Sequence, residues 1–168
     1  METPLCSVCQ DSDDILCTGC QQKIEDGELT ETAVEVSRFL MDEAERVNTL
    51  RDIEIKSVKE ASGAIVIITG KGDGPKVVGR NGEVVKKLAN EFNSSIRVVE
   101  DSGVDDEVIE NLLEPVEVQG INTVYKPEGT QKKVVVNKGD KSRVPITREE
   151  FKEIVKELTG EEYTLSYE

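Results

Sequence analysis

The residues best suited to chemistry stand at the start of the chain, in CSVCQDSDDILCTGC. Cys6, Cys9, Cys17 and Cys20 form two Cys-x-x-Cys pairs with seven residues between them. With four cysteines in 168 residues, chance supplies roughly 0.1 such pair, so two adjacent pairs are a strong signal. Each pair can wrap two thiolates around one ion, and the segment between them can form the hairpin that brings the pairs together. Four sulfurs then complete a tetrahedral Zn²⁺ site. A closed site of this kind has no open coordination position, so it serves folding rather than catalysis. Four thiolates also suit an iron–sulfur cluster, and sequence leaves that choice open. Two disulfides fit less well, because no basic region followed by an apolar stretch marks a secretory signal. A redox dithiol needs only one pair and a thioredoxin-like unit around it.

A second stretch, VVGRNGEVV, sets Gly79 and Gly82 around Arg80 and Asn81. The string alone carries little, since 13 glycines supply roughly one Gly-x-x-Gly by chance. Its charge environment says more. The chain holds 21 Lys and Arg against 35 Asp and Glu, a formal net charge of −14. From Lys71 to Val98, however, six basic residues (Lys71, Lys76, Arg80, Lys86, Lys87, Arg97) face three acidic ones, a net +3. Positive charge gathered around a glycine string is what a polyanion footprint requires.

Composition narrows the classes. There is no histidine, which removes the commonest general base, the commonest nitrogen metal ligand and every Ser-His or Cys-His nucleophile. No carboxylate pair stands out, so an enzyme with a small-molecule substrate is not expected. No apolar run approaches the roughly 18 residues of a membrane span, and a cytoplasmic protein is expected. Six aromatic residues and no Trp leave Val, Ile and Leu to build the core.

These residues need elements to hold them. GCQQKIEDGEL reads as a short helix ending at Gly27. TETAVEVSRFLMDEAERV is a helix with apolar residues at helical spacing, and Thr32 with Glu35 resembles a capping box. DIEIKSV alternates as a half-buried strand, Gly63 punctuates, and AIVIIT is an apolar strand. GKGDGPK leads into a short helix. After Gly82 comes a helix with Val84, Val85, Leu88, Ala89 and Phe92 on one face, then the strand SSIRVVE. The order is α-β-β-α-α-β, with the glycine string between the last two helices.

The remainder gives a helix in DDEVIENLLEP, strands in VEVQGINTVY and KKVVVNK, a helix in TREEFKEIVKELTG with Thr147 and Glu150 as a capping box and Gly160 as its C-terminal cap, and a strand in YTLSY. This α-β-β-α-β order fits a degenerate repeat of the first unit, with GDKSRVP where the glycine string stood, and equally an unrelated α+β appendage.

The six-element unit with its Gly-x-x-Gly resembles a type II K-homology (KH) domain. Followed by ENLLEPVEVQGI, it is similar to archaeal NusA-type proteins; the likeness is good over residues 32–125 and loose beyond. The fold class expected is therefore α+β: a four-cysteine zinc ribbon over 1–28, a type II KH domain over 29–103 and a KH-like lobe over 104–168. The resemblance implies single-stranded RNA held in a groove for about four nucleotides. Gly79 and Gly82 would admit the backbone, and Lys76 and Arg80 would meet phosphates beside Asn81. Lys86, Lys87 and Arg97 add charge, and Val77, Val78, Val85 and Ile96 line the base groove. It further implies a role in transcription elongation or termination. The alternatives are a ribosome-associated or ribosome-assembly factor, or a protein–protein adaptor with a vestigial KH fold, with RNA polymerase or the small ribosomal subunit as the partner.

Overall fold

The computed structural model describes residues 1–12 and 15–168. The chain forms two compact units, residues 1–101 and 102–168. Each is α+β and carries one three-stranded sheet.

The first unit begins with two short helices, α1 (Ser7–Gln10) and α2 (Thr18–Glu25), each following the first cysteine of a pair. Helix α3 (Glu31–Ala44) comes next. Its cap is Thr30, whose hydroxyl accepts from the Ala33 N–H at 3.0 Å. The expected cap, Thr32, is the second residue of the helix and donates its hydroxyl to Glu60 instead. Both threonines precede an apolar run, and only the backbone at Thr30 is extended, as a cap requires.

Strand β1 (Ile55–Ala61) pairs antiparallel with β2 (Ala64–Thr69). The two residues between them, Ser62 and Gly63, both have positive φ (49° and 76°), the conformation that suits a tight hairpin to the twist of its strands. Strand β2 is buried along nearly all of its length and lies at the centre of the sheet. Its other neighbour, β3 (Ser95–Glu100), runs parallel to it. A parallel partner demands a crossover, and α4 (Gly74–Val78), a 3₁₀ turn (Arg80–Gly82) and α5 (Glu83–Phe92) supply it.

One buried apolar cluster holds the unit together. It contains Val36 and Leu40 of α3, Leu50, Ile55, Ile67, Val77 and Leu88. Leu5, Cys9, Cys20 and Leu29 belong to the same cluster, so the cysteine segment is packed into the core of this unit.

The second unit repeats the order. Helix α6 (Asp105–Leu113) precedes β4 (Val118–Lys126), β5 (Gly129–Val136), a 3₁₀ segment (Lys138–Arg143), α7 (Arg148–Thr159) and β6 (Tyr163–Tyr167). Strand β4 is antiparallel to β5, and β6 is parallel to β5. Thr147 caps α7 by accepting from the Glu150 N–H at 3.2 Å, and Gly160 ends it at φ 75°. Among the described residues no helix is long and apolar enough to cross a membrane.

Candidate metal centre and nucleic-acid interface

The four cysteine sulfurs converge, all within 4.8 Å of one another, and Cys6 Sγ and Cys17 Sγ are 3.6 Å apart. A zinc ion with bonds of about 2.3 Å places its sulfurs about 3.8 Å apart along each tetrahedral edge. The cluster is thus sized for one ion. The hairpin expected between the pairs falls partly on Asp13 and Asp14, outside the described residues.

Backbone N–H groups point into the cluster. The Cys17 N–H donates to Cys9 Sγ at 3.2 Å, and the Cys20 N–H donates to Cys17 Sγ at 3.4 Å. Such bonds favour thiolates. The Cys9 N–H, followed by the three other sulfurs, draws the Cys6 thiol down to about 6. At Cys9 the Cys17 N–H also favours the thiolate. Burial and the neighbouring sulfurs outweigh it, and the thiol is pushed up to about 12. Burial raises Cys20 as well. Four sulfurs this close cannot all ionise without a cation among them, and a divalent ion held by Cys6, Cys9, Cys17 and Cys20 would supply the missing charge.

The glycine joint lies between α4 and α5. Three of its four residues have positive φ: Gly79 (80°), Asn81 (55°) and Gly82 (73°). The two glycines are required for different reasons. At Gly79, φ 80° and ψ 172° form a region that only glycine occupies readily. A Cβ there would also sit 2.6 Å from Val84 Cγ2. Gly79 therefore lets the joint close onto the first turn of α5. At Gly82 a Cβ would meet nothing within 4 Å, so this side of the joint is open. Gly82 is the N-cap of α5 and no side chain caps it, leaving the first N–H groups of the helix without a side-chain acceptor.

The candidate RNA residues divide into three groups. Arg80, Asn81 and Lys86 are exposed, Val78 is exposed next to the joint, and Val85 and Ile96 are half-buried. Val77 is 0% exposed and belongs to the core beneath the joint, so it offers no surface to a base. Two lysines are engaged in ion pairs. Lys76 Nζ lies 3.1 Å from Asp73, whose carboxylate also accepts from the Glu54 N–H at 2.9 Å. Lys87 Nζ lies 2.9 Å from Glu43, a carboxylate buried on α3 that also holds Arg46 at 3.2 Å. Lys87 thus ties α5 to α3. Arg97 is half-buried on β3, opposite Val66.

Sequence reasoning passed over Asp73, Glu43 and Glu100. The Glu100 carboxylate accepts from the Gly74 N–H at 3.0 Å and holds the start of α4. These acids are scattered among 35 in the chain, and no spacing sets them apart. Only the folded register of β2 and β3 brings Glu100 to α4.

The chain matches no protein-family model, and no curated protein matches it. It is similar in fold to a solved archaeal structure described as "Crystal structure of APE1850", with a TM-score of 0.54. The identity is 18%, over 77% of this chain and 96% of that one. At this identity the likeness concerns fold.

Proposed function

We propose that the chain is a single-stranded RNA-binding accessory factor. In this reading its first unit is a type II KH domain stapled by a structural zinc ion. The observation that carries the reading is the joint. Gly79 closes it onto α5, and Gly82 leaves its outer side open at a helix start that no side chain caps, where the Glu83 N–H donates to the Arg80 carbonyl. A phosphate can approach such a backbone without a side chain intervening, and the positive end of the helix dipole faces it. Exposed Arg80 and Lys86 add charge. Val78, Val85 and Ile96 provide the apolar side on which bases rest. The element order from α3 to β3 and the mixed pairing of the sheet support the KH assignment.

Zinc, held by Cys6, Cys9, Cys17 and Cys20, would fix the cysteine segment against the core. The resemblance to archaeal NusA-type proteins suggests a place in transcription elongation or termination. With Lys76 and Lys87 committed to ion pairs, few cations remain for phosphates. Affinity should be modest and salt-dependent.

The test is the double substitution Arg80→Asp with Asn81→Asp, assayed by fluorescence anisotropy with a short single-stranded RNA. Loss of binding at unchanged circular dichroism is expected. Affinity equal to that of the parent protein would reject the joint as the site. Metal content of protein purified without chelators, expected near one zinc per chain, tests the metal.

A further inference from the structure

The most positive stretch of the chain lies in the second unit, away from the glycine joint. From Lys126 to Arg148, seven basic residues face two acidic ones, a net +5 in 23 residues. Strand β5, the 3₁₀ segment and the first residue of α7 carry most of this charge. In chain order the 3₁₀ segment occupies the place that α4 and the joint take in the first unit.

Part of the charge is matched internally. Arg143 pairs with Asp140 at 3.1 Å, Lys133 pairs with Glu168, and Lys132 reaches Glu161 at 2.6 Å. Lys138, Lys141 and Arg148 are exposed, and none of them has a carboxylate partner among the described residues. Two of these three converge on one aromatic ring. The Arg148 guanidinium carbon lies 4.8 Å from the centre of the Tyr167 ring, and Lys141 Nζ lies 5.6 Å from it. Tyr167 is half-buried at the end of β6, so its ring is anchored while the cations are exposed.

We propose that Lys141, Arg148 and Tyr167 form a second nucleic-acid contact surface, one that takes single-stranded RNA without a glycine joint. The chemistry favours this ligand over an acidic protein segment. Lysine and arginine serve phosphates and carboxylates alike, but an anchored tyrosine beside an arginine plane suits the face of an unpaired base. Charge for the backbone and a ring for the base then lie within one side chain's reach. The surface rests on different residues from the joint, and the two readings stand or fall separately.

The experiment uses the full-length chain and a fluorescein-labelled, mixed-sequence 12-nucleotide single-stranded RNA, titrated between about 50 and 200 mM salt. The variants are Lys141→Gln with Arg148→Gln, and Tyr167→Ala, each checked for folding by circular dichroism. Losing two phosphate contacts should lower the slope of log affinity against log salt by about 1.4. Tyr167→Ala should weaken binding about tenfold, as loss of one stacked base does, and Tyr167→Phe should restore it. If Arg80→Asp with Asn81→Asp leaves binding intact while the glutamine pair weakens it, this surface stands and the joint falls. A folded glutamine pair with parental affinity and salt slope overturns the proposal. So does wild-type protein that binds a poly-glutamate peptide and leaves the RNA free.

Discussion

The two units share a scaffold down to the last rung of the sheet. In both, the first two strands are antiparallel, the third is parallel to the second, and the first strand shifts register near its start, at Ile55/Ser57 and at Val118/Gly120. The last parallel rungs are Thr69–Glu100 and Val136–Tyr167. Beyond each, the next N–H returns to the central strand: Asp101 to the Thr69 carbonyl at 2.8 Å, and Glu168 to the Val136 carbonyl at 3.0 Å. The contrast begins at these rungs. Glu100 turns its carboxylate to the start of α4, whereas Tyr167 presents a ring to Arg148 and Lys141. One crossover contains a glycine joint with open space beside Gly82, and the other a 3₁₀ segment rich in cations. A shared framework thus carries two different crossovers, because the connection between the second and third strands is where the framework leaves the chain free to vary.

The four-cysteine cluster of the first unit has no counterpart in the second, which holds no cysteine, and disrupting it should produce the largest effect. Cys9→Ser with Cys20→Ser, or prolonged chelation, leaves unmatched polar groups in a core shared with Leu5, Val36 and Leu40. Hydrogen exchange should show loss of protection concentrated in residues 1–101 and much less in 102–168, which hold no cysteine. Equal loss in both would break the contrast.

The two glycines of the joint should also separate. Gly79→Ala meets both an unfavourable backbone region and Val84, and a cost of about 2–4 kcal/mol in urea unfolding is expected. Gly82→Ala meets only positive φ, so about 1 kcal/mol is expected. A smaller effect tests the tie between α5 and α3. Glu43→Gln should cost about 1–2 kcal/mol, since it leaves Lys87 and Arg46 without their shared carboxylate. At the bottom of the scale, Thr30→Ala should cost about 1 kcal/mol through loss of a helix cap, and Thr32→Ala clearly less.

Much of this structure was legible in the chain. Apolar periodicity gave α3, α5 and α7, alternation gave β1, and the Cys-x-x-Cys pairs gave the sulfur cluster. What escaped depends on contacts distant in sequence. Valine spacing cannot tell that Val77 lies under the joint and Val78 beside it. Charge counting cannot tell that Lys76 and Lys87 are held by Asp73 and Glu43. The cysteine segment reads as a separate module, because the shared burial of Cys9, Cys20 and Leu40 is invisible until the chain is folded. The basic stretch from Lys126 to Arg148 was readable by composition alone, but its meaning rests on Tyr167, which β6 brings back beside it.

The claim that the joint grips RNA is tested most directly by amide chemical-shift mapping. The full-length protein, uniformly ¹⁵N-labelled, would be titrated with a single-stranded tetranucleotide, about the length a KH groove admits. If the joint is the site, the largest shifts fall on Gly79 to Val85, at the open side of Gly82 and the first turn of α5, and they vanish in the Arg80→Asp, Asn81→Asp protein. Saturable shifts confined to other segments, with those amides unmoved, would contradict it.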